Sequence, residues 1–138
     1  MRRVQDVALL IARVGIGAIF IAHGWQKFGQ FGMSGTAASF HKMGVPAPTL
    51  SAWIASTVEL AGGALLVIGL ALPVVGVLLA LDMLGALLIV HLPNGLIGPG
   101  GYELVLALGV ASLALGFNGG AFAVDRLLFE RRAGIATA

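Results

Sequence analysis

Residues 55–90 are apolar almost without interruption, and the only charged side chains among them are Glu59 and Asp82. A run of that length exceeds the roughly 20 residues that already suffice to cross a bilayer. The segment "LALPV" divides it. Pro73 suits the first turn of a new helix, so the run reads as two antiparallel spans joined by a tight turn. A chain built this way needs lipid as its solvent, and composition agrees. Of 138 residues, 59% are hydrophobic and 10% charged, whereas a soluble domain carries about 25% charged residues.

Four apolar segments stand out, at about 4–28, 50–70, 74–92 and 102–121, and "LPNGLIGPGG" is the loop between the last two. The fold expected is all-α: an integral membrane four-helix bundle with a short outer interfacial segment, forming a single domain over 1–132 with a flexible tail at 133–138. Within "TAASFHKMG" that interfacial helix would dip Phe40 and Met43 toward lipid. Arg2 and Arg3 ahead of an apolar run have the outline of a signal peptide. Asp6 and Arg13 interrupt it and no small-residue cleavage site follows, so the segment reads as a retained span.

Charge distribution sets the expected orientation. Arg2, Arg3, Arg126, Arg131 and Arg132 flank the termini, while Lys27 and Lys42 lie by the first loop. The positive-inside rule then places both termini in the cytoplasm and the 29–49 and 93–101 loops outside, with Trp25 and Trp53 at the outer boundary. These basic residues sit at the chain ends and do not form a patch, which argues against nucleic acid as a partner. Cysteine is absent. That excludes thiol–disulfide chemistry, covalent c-type haem and cysteinyl iron–sulfur clusters within this chain.

Counting 1.5 Å per residue, Arg13, Glu59 and Asp82 all fall about 12–15 Å from the inner ends of their spans. An unpaired charge at that depth costs about 3 kcal/mol or far more. The expectation is one shared site, with Arg13 pairing Glu59 or Asp82. Such a site either handles protons or a polar ligand, or acts as an internal tie that fixes helix register. Arg13, Gly17, Phe20, Gly24 and Lys27 share one face of span one, and Ala55, Glu59, Gly62, Leu66 and Gly69 one face of span two. Gly17, Gly24, Gly62 and Gly63 are expected to serve close helix packing. A second polar group, His23, Lys27, His91, Tyr102 and Glu103, is expected at the outer entrance of a cavity, with Glu103 also capping span four. His23 and His91 are candidates for b-type haem ligation only if their rings face each other. The expectation is wet polar residues and no haem or metal.

The segments "RVGIGAIFIAHGWQKFG", "MGVPAP", "VELAGGALLVIG" and "GYELVLALGVASLALGFNGGAFAVD", in this order over residues 13–125, resemble the DoxX family of small four-helix membrane proteins. The resemblance implies a four-helix bundle with polar residues buried between helices. It places family signature positions at Arg13, Gly17, Gly24, Lys27, Glu59, Gly62, Gly63 and Glu103. Asp82 is not among them. Related DoxX and DoxD proteins are associated with thiosulfate:quinone oxidoreductase and terminal-oxidase systems, or with quinone and oxidative-stress responses. The expected function is therefore a small subunit of a respiratory or oxidoreductase assembly in a prokaryotic cell (inner) membrane. It would bind a quinone or similar lipid-soluble ligand near the buried Arg/Glu site, while other membrane subunits supply the redox centres. Without cysteines or cofactor motifs, the chain is not expected to be a complete enzyme alone, and no catalytic residue is assigned. Two alternatives stand beside this. One is a non-catalytic assembly or stress-protection protein, self-associating in the bilayer. The other is a small solute or proton transporter, which the lack of a detectable inverted repeat weakens.

Overall fold

Lipid offers no hydrogen-bond partners to a backbone, so apolar runs of this length close their own bonds as helices even where Val and Ile are frequent. The computed structural model describes residues 1–136. Helix α1 (Arg2–Trp25) continues through a π turn at Gln26–Gln30, followed by α2 (Gly32–Lys42) and α3 (Pro48–Ile68). Helix α4 (Leu72–Ala86) is extended by a π turn at Leu87–His91 and a 3-10 turn at Leu92–Asn94; α5 (Glu103–Phe117) and α6 (Val124–Ala136) follow. Three stretches, Arg2–Gln30, Pro48–Ile68 and Leu72–Asn94, are long and apolar enough to cross a membrane.

The fourth span is shorter than expected. Helix α5 has 15 residues, about 22 Å of rise, against a hydrocarbon thickness of about 30 Å. It stops at Phe117 because Asn118 leaves helical geometry and Gly120, at φ +80°, adopts a left-handed conformation that a side chain disfavours. The chain then folds back, and the Ala121 N–H donates to the Asp6 carboxylate of α1 at 2.8 Å. Helix α6 was not anticipated in the sequence. It runs through the region expected as a tail as far as Ala136, and residues 137–138 lie outside the described residues.

In lipid the apolar surface of one helix gains little by touching another, so close approach of backbones does much of the work. Helix α1 lies along α3, α4 along α5, and α2 rests on α3. A Cβ on Gly24 would stand 2.6 Å from the Leu60 backbone nitrogen, and one on Gly17 2.7 Å from the Gly63 carbonyl oxygen. Gly63 completes that seam from the α3 side. Gly62 instead faces the Leu79 side chain of α4. A second seam joins Gly76 of α4 to Gly116 of α5, where an added Cβ on Gly76 would come within 2.6 Å of the Gly116 Cα. Phe20, Leu66, Leu79, Leu108 and Leu115 fill the space between helices. Ile11, Val14, Leu81, Val110 and Phe117 are exposed on the perimeter, where lipid, not water, is their solvent.

The end of the bundle that carries both termini is tied by backbone groups that the helices leave unsatisfied. The Asp125 carboxylate accepts from the Ala71 and Leu72 N–H groups, each at 2.8 Å. It thereby places a negative charge on the positive end of the α4 dipole. The Asp125 N–H donates to the Gly69 carbonyl at 3.0 Å.

The seam gives a first prediction. Gly24→Ala should force α1 and α3 apart and cost about 1–3 kcal/mol by overpacking. Gly15→Ala, where an added Cβ meets nothing within 4 Å, should be neutral or mildly stabilising. Thermal midpoints in detergent check this; equal losses at the two positions would contradict the packing.

Candidate ligand-binding site

Side chains on a helix tilt toward its N-terminus. Helices α1 and α3 are antiparallel neighbours, so this tilt sends their charged side chains in opposite directions. From α1, Arg13 reaches toward the terminal end of the bundle, where its Nη1 donates to the carbonyls of Leu66 at 3.3 Å and Val67 at 3.0 Å. Those oxygens belong to the last turn of α3, which has no further helical donors and carries the negative end of the dipole. Glu59 tilts the other way, toward the loop end. There it meets Lys27, whose side chain descends from α1, with Nζ and Oε2 separated by 2.5 Å.

The expected shared site of Arg13, Glu59 and Asp82 is therefore corrected. Arg13, wholly buried, is a cap on the end of α3. Glu59 takes Lys27 as its cation. Asp82 of α4 does join Glu59: the two carboxyls are close enough to interact directly, and Lys27 acts on Asp82 as well. The cluster is thus Lys27, Glu59 and Asp82, one ammonium and two carboxyls from three different helices. Its members are mostly withdrawn from the surface, with Lys27 and Glu59 side chains 17% and 7% exposed. Glu59 sits about 16 Å along α3 from Pro48, near the middle of that span.

Two π turns shape the surroundings, one carrying Lys27 and the other His91. A π turn breaks the regular helical register and commonly marks functional positions. Here the Lys27 carbonyl accepts from the Thr36 hydroxyl at 3.0 Å, and Thr36 is only 2% exposed. That bond pins α2 onto the bundle. The glycines at the two ends of α2, Gly32 at φ +70° and Gly44 at φ +76°, supply the left-handed turns that fold it down.

Folding α2 down creates a cavity of about 720 Å³ toward the loop end, within the range of about 300–1,000 Å³ usual for small-molecule sites. Lys27, Glu59 and Asp82 line it together with His23 and His91. The remaining wall is largely apolar, and Phe40 and Met43 belong to it. Phe40, on the side of α2 that packs on α3, is partly withdrawn into this wall, whereas Met43, just past the end of α2, also lines it but stays 41% exposed. Tyr102 and Glu103 are not in the lining, which corrects their place at the entrance. Their N–H groups donate to the Gly95 carbonyl at 3.0 Å and the Leu96 carbonyl at 3.2 Å, binding the 93–101 loop to the start of α5. That loop supplies Gly100 and Gly101 to the wall. His91 Nδ1 lies 2.7 Å from the Gly100 carbonyl oxygen, which can only accept. Nδ1 therefore carries the proton, and in the neutral ring Nε2 is an acceptor.

Fold and cavity define a class: a small multi-helix membrane protein with a half-enclosed, amphipathic pocket. The comparisons with known proteins give it a family. The DoxX family model matches residues 8–92, and the chain belongs to that family. It is 36% identical over 131 residues to "Putative oxidoreductase CatD" of Bacillus subtilis, covering 94% of this chain and 93% of that protein. It is 31% identical over 137 residues to "Uncharacterized membrane protein Rv3486" of Mycobacterium tuberculosis, covering 90% and 83% respectively. It is 32% identical over 129 residues to "Inner membrane protein YphA" of Escherichia coli, covering 88% and 91%. No solved structure matches the chain.

Double-mutant cycles check the partner assignment. Lys27→Met and Glu59→Gln should show a coupling of about 1 kcal/mol or more, as contacting charges do. Arg13→Gln and Glu59→Gln should add to within about 0.5 kcal/mol. Strong Arg13–Glu59 coupling would restore the partnership that depth alone suggested.

Proposed function

We propose that the chain binds a quinone or a similar lipid-soluble ring compound in the cavity above Lys27, Glu59 and Asp82, as a small subunit of a quinone-linked oxidoreductase assembly. The observation that carries the reading is the juxtaposition of an apolar cavity with a charged cluster at its deep end. Such a space suits a ligand with a polar head and an apolar body. Membership of the DoxX family and the name of the Bacillus subtilis relative support the oxidoreductase context. Lys27, with three N–H donors and one directed at Glu59, can hold an oxygen of the head group. Glu59 fixes the ammonium in place, and Asp82 offers a second carboxyl to the same oxygen. In this reading partner subunits supply the redox centres; without cysteine this chain can hold neither a cysteinyl iron–sulfur cluster nor a covalent c-type haem. The histidines serve the cavity rim and do not act as haem ligands.

Arg13 has no part in ligand binding in this reading; it secures the far end of α3. We place the protein in a prokaryotic cell membrane with both termini in the cytoplasm, so that the cavity lies toward the outer leaflet. The basic residues at the chain ends support that orientation.

Two measurements test this. Titration of the purified protein in nanodiscs with a short-tailed ubiquinone analogue should show saturable binding, weakened roughly tenfold by Lys27→Met through loss of one charge-assisted hydrogen bond. Absence of binding, or indifference to Lys27→Met, would contradict the assignment. For orientation, single cysteines at Arg2, Ser39 and Arg132 should be probed with an impermeant thiol reagent in intact cells. Labelling is expected at Ser39 only, and labelling at the termini alone would invert the topology.

A further inference from the structure

The charged end of the cavity holds more carboxyl than its surroundings can neutralise. Packing register brings the two carboxyls together. Gly62 of α3 lies against Leu79 of α4, and three residues further along each of these antiparallel helices, toward the loop end, stand Glu59 and Asp82. The pair is within hydrogen-bonding reach of one another, and Asp82 Oδ2 is buried with no donor among the described residues. The charged and titratable side chains of the wall are Lys27 and His23 from α1, Glu59 from α3, and Asp82 and His91 from α4 and its π turn; the parts of the wall given by α2 and α5 carry no charge. Lys27 supplies one positive charge, spent on Glu59 Oε2. Arg13 is engaged by carbonyls at the far end of α3. His91 stands about 13 Å along its helix from Asp82 and gives its Nδ1 proton to the Gly100 carbonyl. His23 makes no ion pair or hydrogen bond with either carboxyl among the described residues.

One ammonium balances one carboxylate. A second carboxylate against the first would leave an uncompensated charge inside the membrane and press two anionic oxygens together. A single proton removes both costs. Placed between the carboxyls, it turns a repulsive contact into a charge-assisted O–H···O bond. Asp82 Oδ2 is then either the oxygen that donates this bond or the carbonyl oxygen of a neutral acid, and in neither case a buried anionic oxygen without a donor. We infer that Glu59 and Asp82 form a proton-binding site that holds one exchangeable proton between them at neutral pH, so that the cluster with Lys27 carries no net charge. Glu59, which faces the ammonium, keeps the negative charge, and Asp82 carries the proton. The protein thus has a resident acid within its membrane-spanning region, beside the cavity. The inference rests on the Lys27–Glu59 pairing and not on the quinone-type reading, and a neutral cluster suits any uncharged ligand head.

The chain has only six Asp and Glu residues, so their side-chain carboxyl carbons, labelled with ¹³C, can each be assigned by substitution. Solid-state NMR of the full chain in lipid bilayers at neutral pH, with no ligand added, reads the protonation of each carboxyl from its chemical shift. In wild type the Glu59 and Asp82 carbons should together account for one proton, with Asp82 nearer the carboxylic-acid position. Asp82→Asn should leave Glu59 fully ionised beside Lys27. Glu59→Gln should move the Asp82 carbon to the carboxylate position, because Asp82 is then the counter-ion left for Lys27. Thermal melts confirm that each variant keeps the bundle, and the wild-type spectrum decides by itself where one does not. Both carbons at the carboxylate position in wild type, or both at the acid position, would overturn the inference. So would an Asp82 carbon that stays at the acid position in Glu59→Gln, since the proton would then belong to Asp82 alone. None of these results depends on whether a quinone binds, which the titration of the ubiquinone analogue tests separately.

Discussion

A charge in hydrocarbon must find a partner, and the register in which its helix packs decides which partner it finds. Arg13 and Glu59 lie on adjacent, antiparallel helices but at different levels: Gly24 packs against Leu60, beside Glu59, and Gly17 against Gly63 and Val67, which leaves Arg13 level with the end of α3. The tilt of each side chain toward its own N-terminus carries the two further apart. Arg13 falls onto the exhausted carbonyls of α3 at 3.0 and 3.3 Å, and Glu59 rises to Lys27 at 2.5 Å. The bundle is divided by this choice. One end is tied by Arg13, Asp6 and Asp125 to backbone groups that the helices cannot satisfy themselves. The other end is left with a carboxyl pair, one ammonium and the space above them.

That division explains why the two ends differ in chemistry. At the terminal end, polar side chains are spent on carbonyls and N–H groups: Asp125 on the start of α4, Asp6 on the turn after α5. At the loop end, the Thr36 bond and the glycine turns of α2 keep a helix folded over a cavity of about 720 Å³. A half-enclosed, largely apolar volume with a charged cluster at one end has the shape and polarity to orient an amphipathic ring.

Much of the fold was legible because its signals are long-range and cumulative. Sustained apolar runs cannot be hidden from a reading of residue order, and Gly17, Gly24 and Gly63 recur at the spacing that puts them on facing sides. The limits were local. Helix α5 ends at Phe117 through the geometry of Asn118 and Gly120, which an apolar count running on to Ala121 overlooks. The π turns at Gln26–Gln30 and Leu87–His91 have no compositional signature, and although Lys27 falls on the same face of span one as Arg13, its place in the outer polar group hid its pairing with Glu59. For the candidate site, depth along each span brought Glu59 and Asp82 together but assigned the wrong cation. Depth was counted from the first residue of each span, but α1 starts well before the level at which α3 ends: Gly17 already packs against Gly63 and Val67, so Arg13 lies level with the last turn of α3 and not with Glu59. Helix α2 is a different case: Phe40 suits a membrane interface and a cavity wall equally well, and the contact of α2 with α3 turns it to the wall.

Glu59 is paired with Lys27 and not with Arg13, and a distance measurement distinguishes the two partners. Solid-state NMR of the protein in lipid bilayers, with ¹⁵N in the lysine and arginine side chains and ¹³C in the Glu59 carboxyl, reports which nitrogen lies against that carbon. A strong dipolar coupling is expected from the Lys27 ammonium, abolished by Lys27→Met, and none from the Arg13 guanidinium. A strong coupling to Arg13, with Lys27 uncoupled, would contradict it.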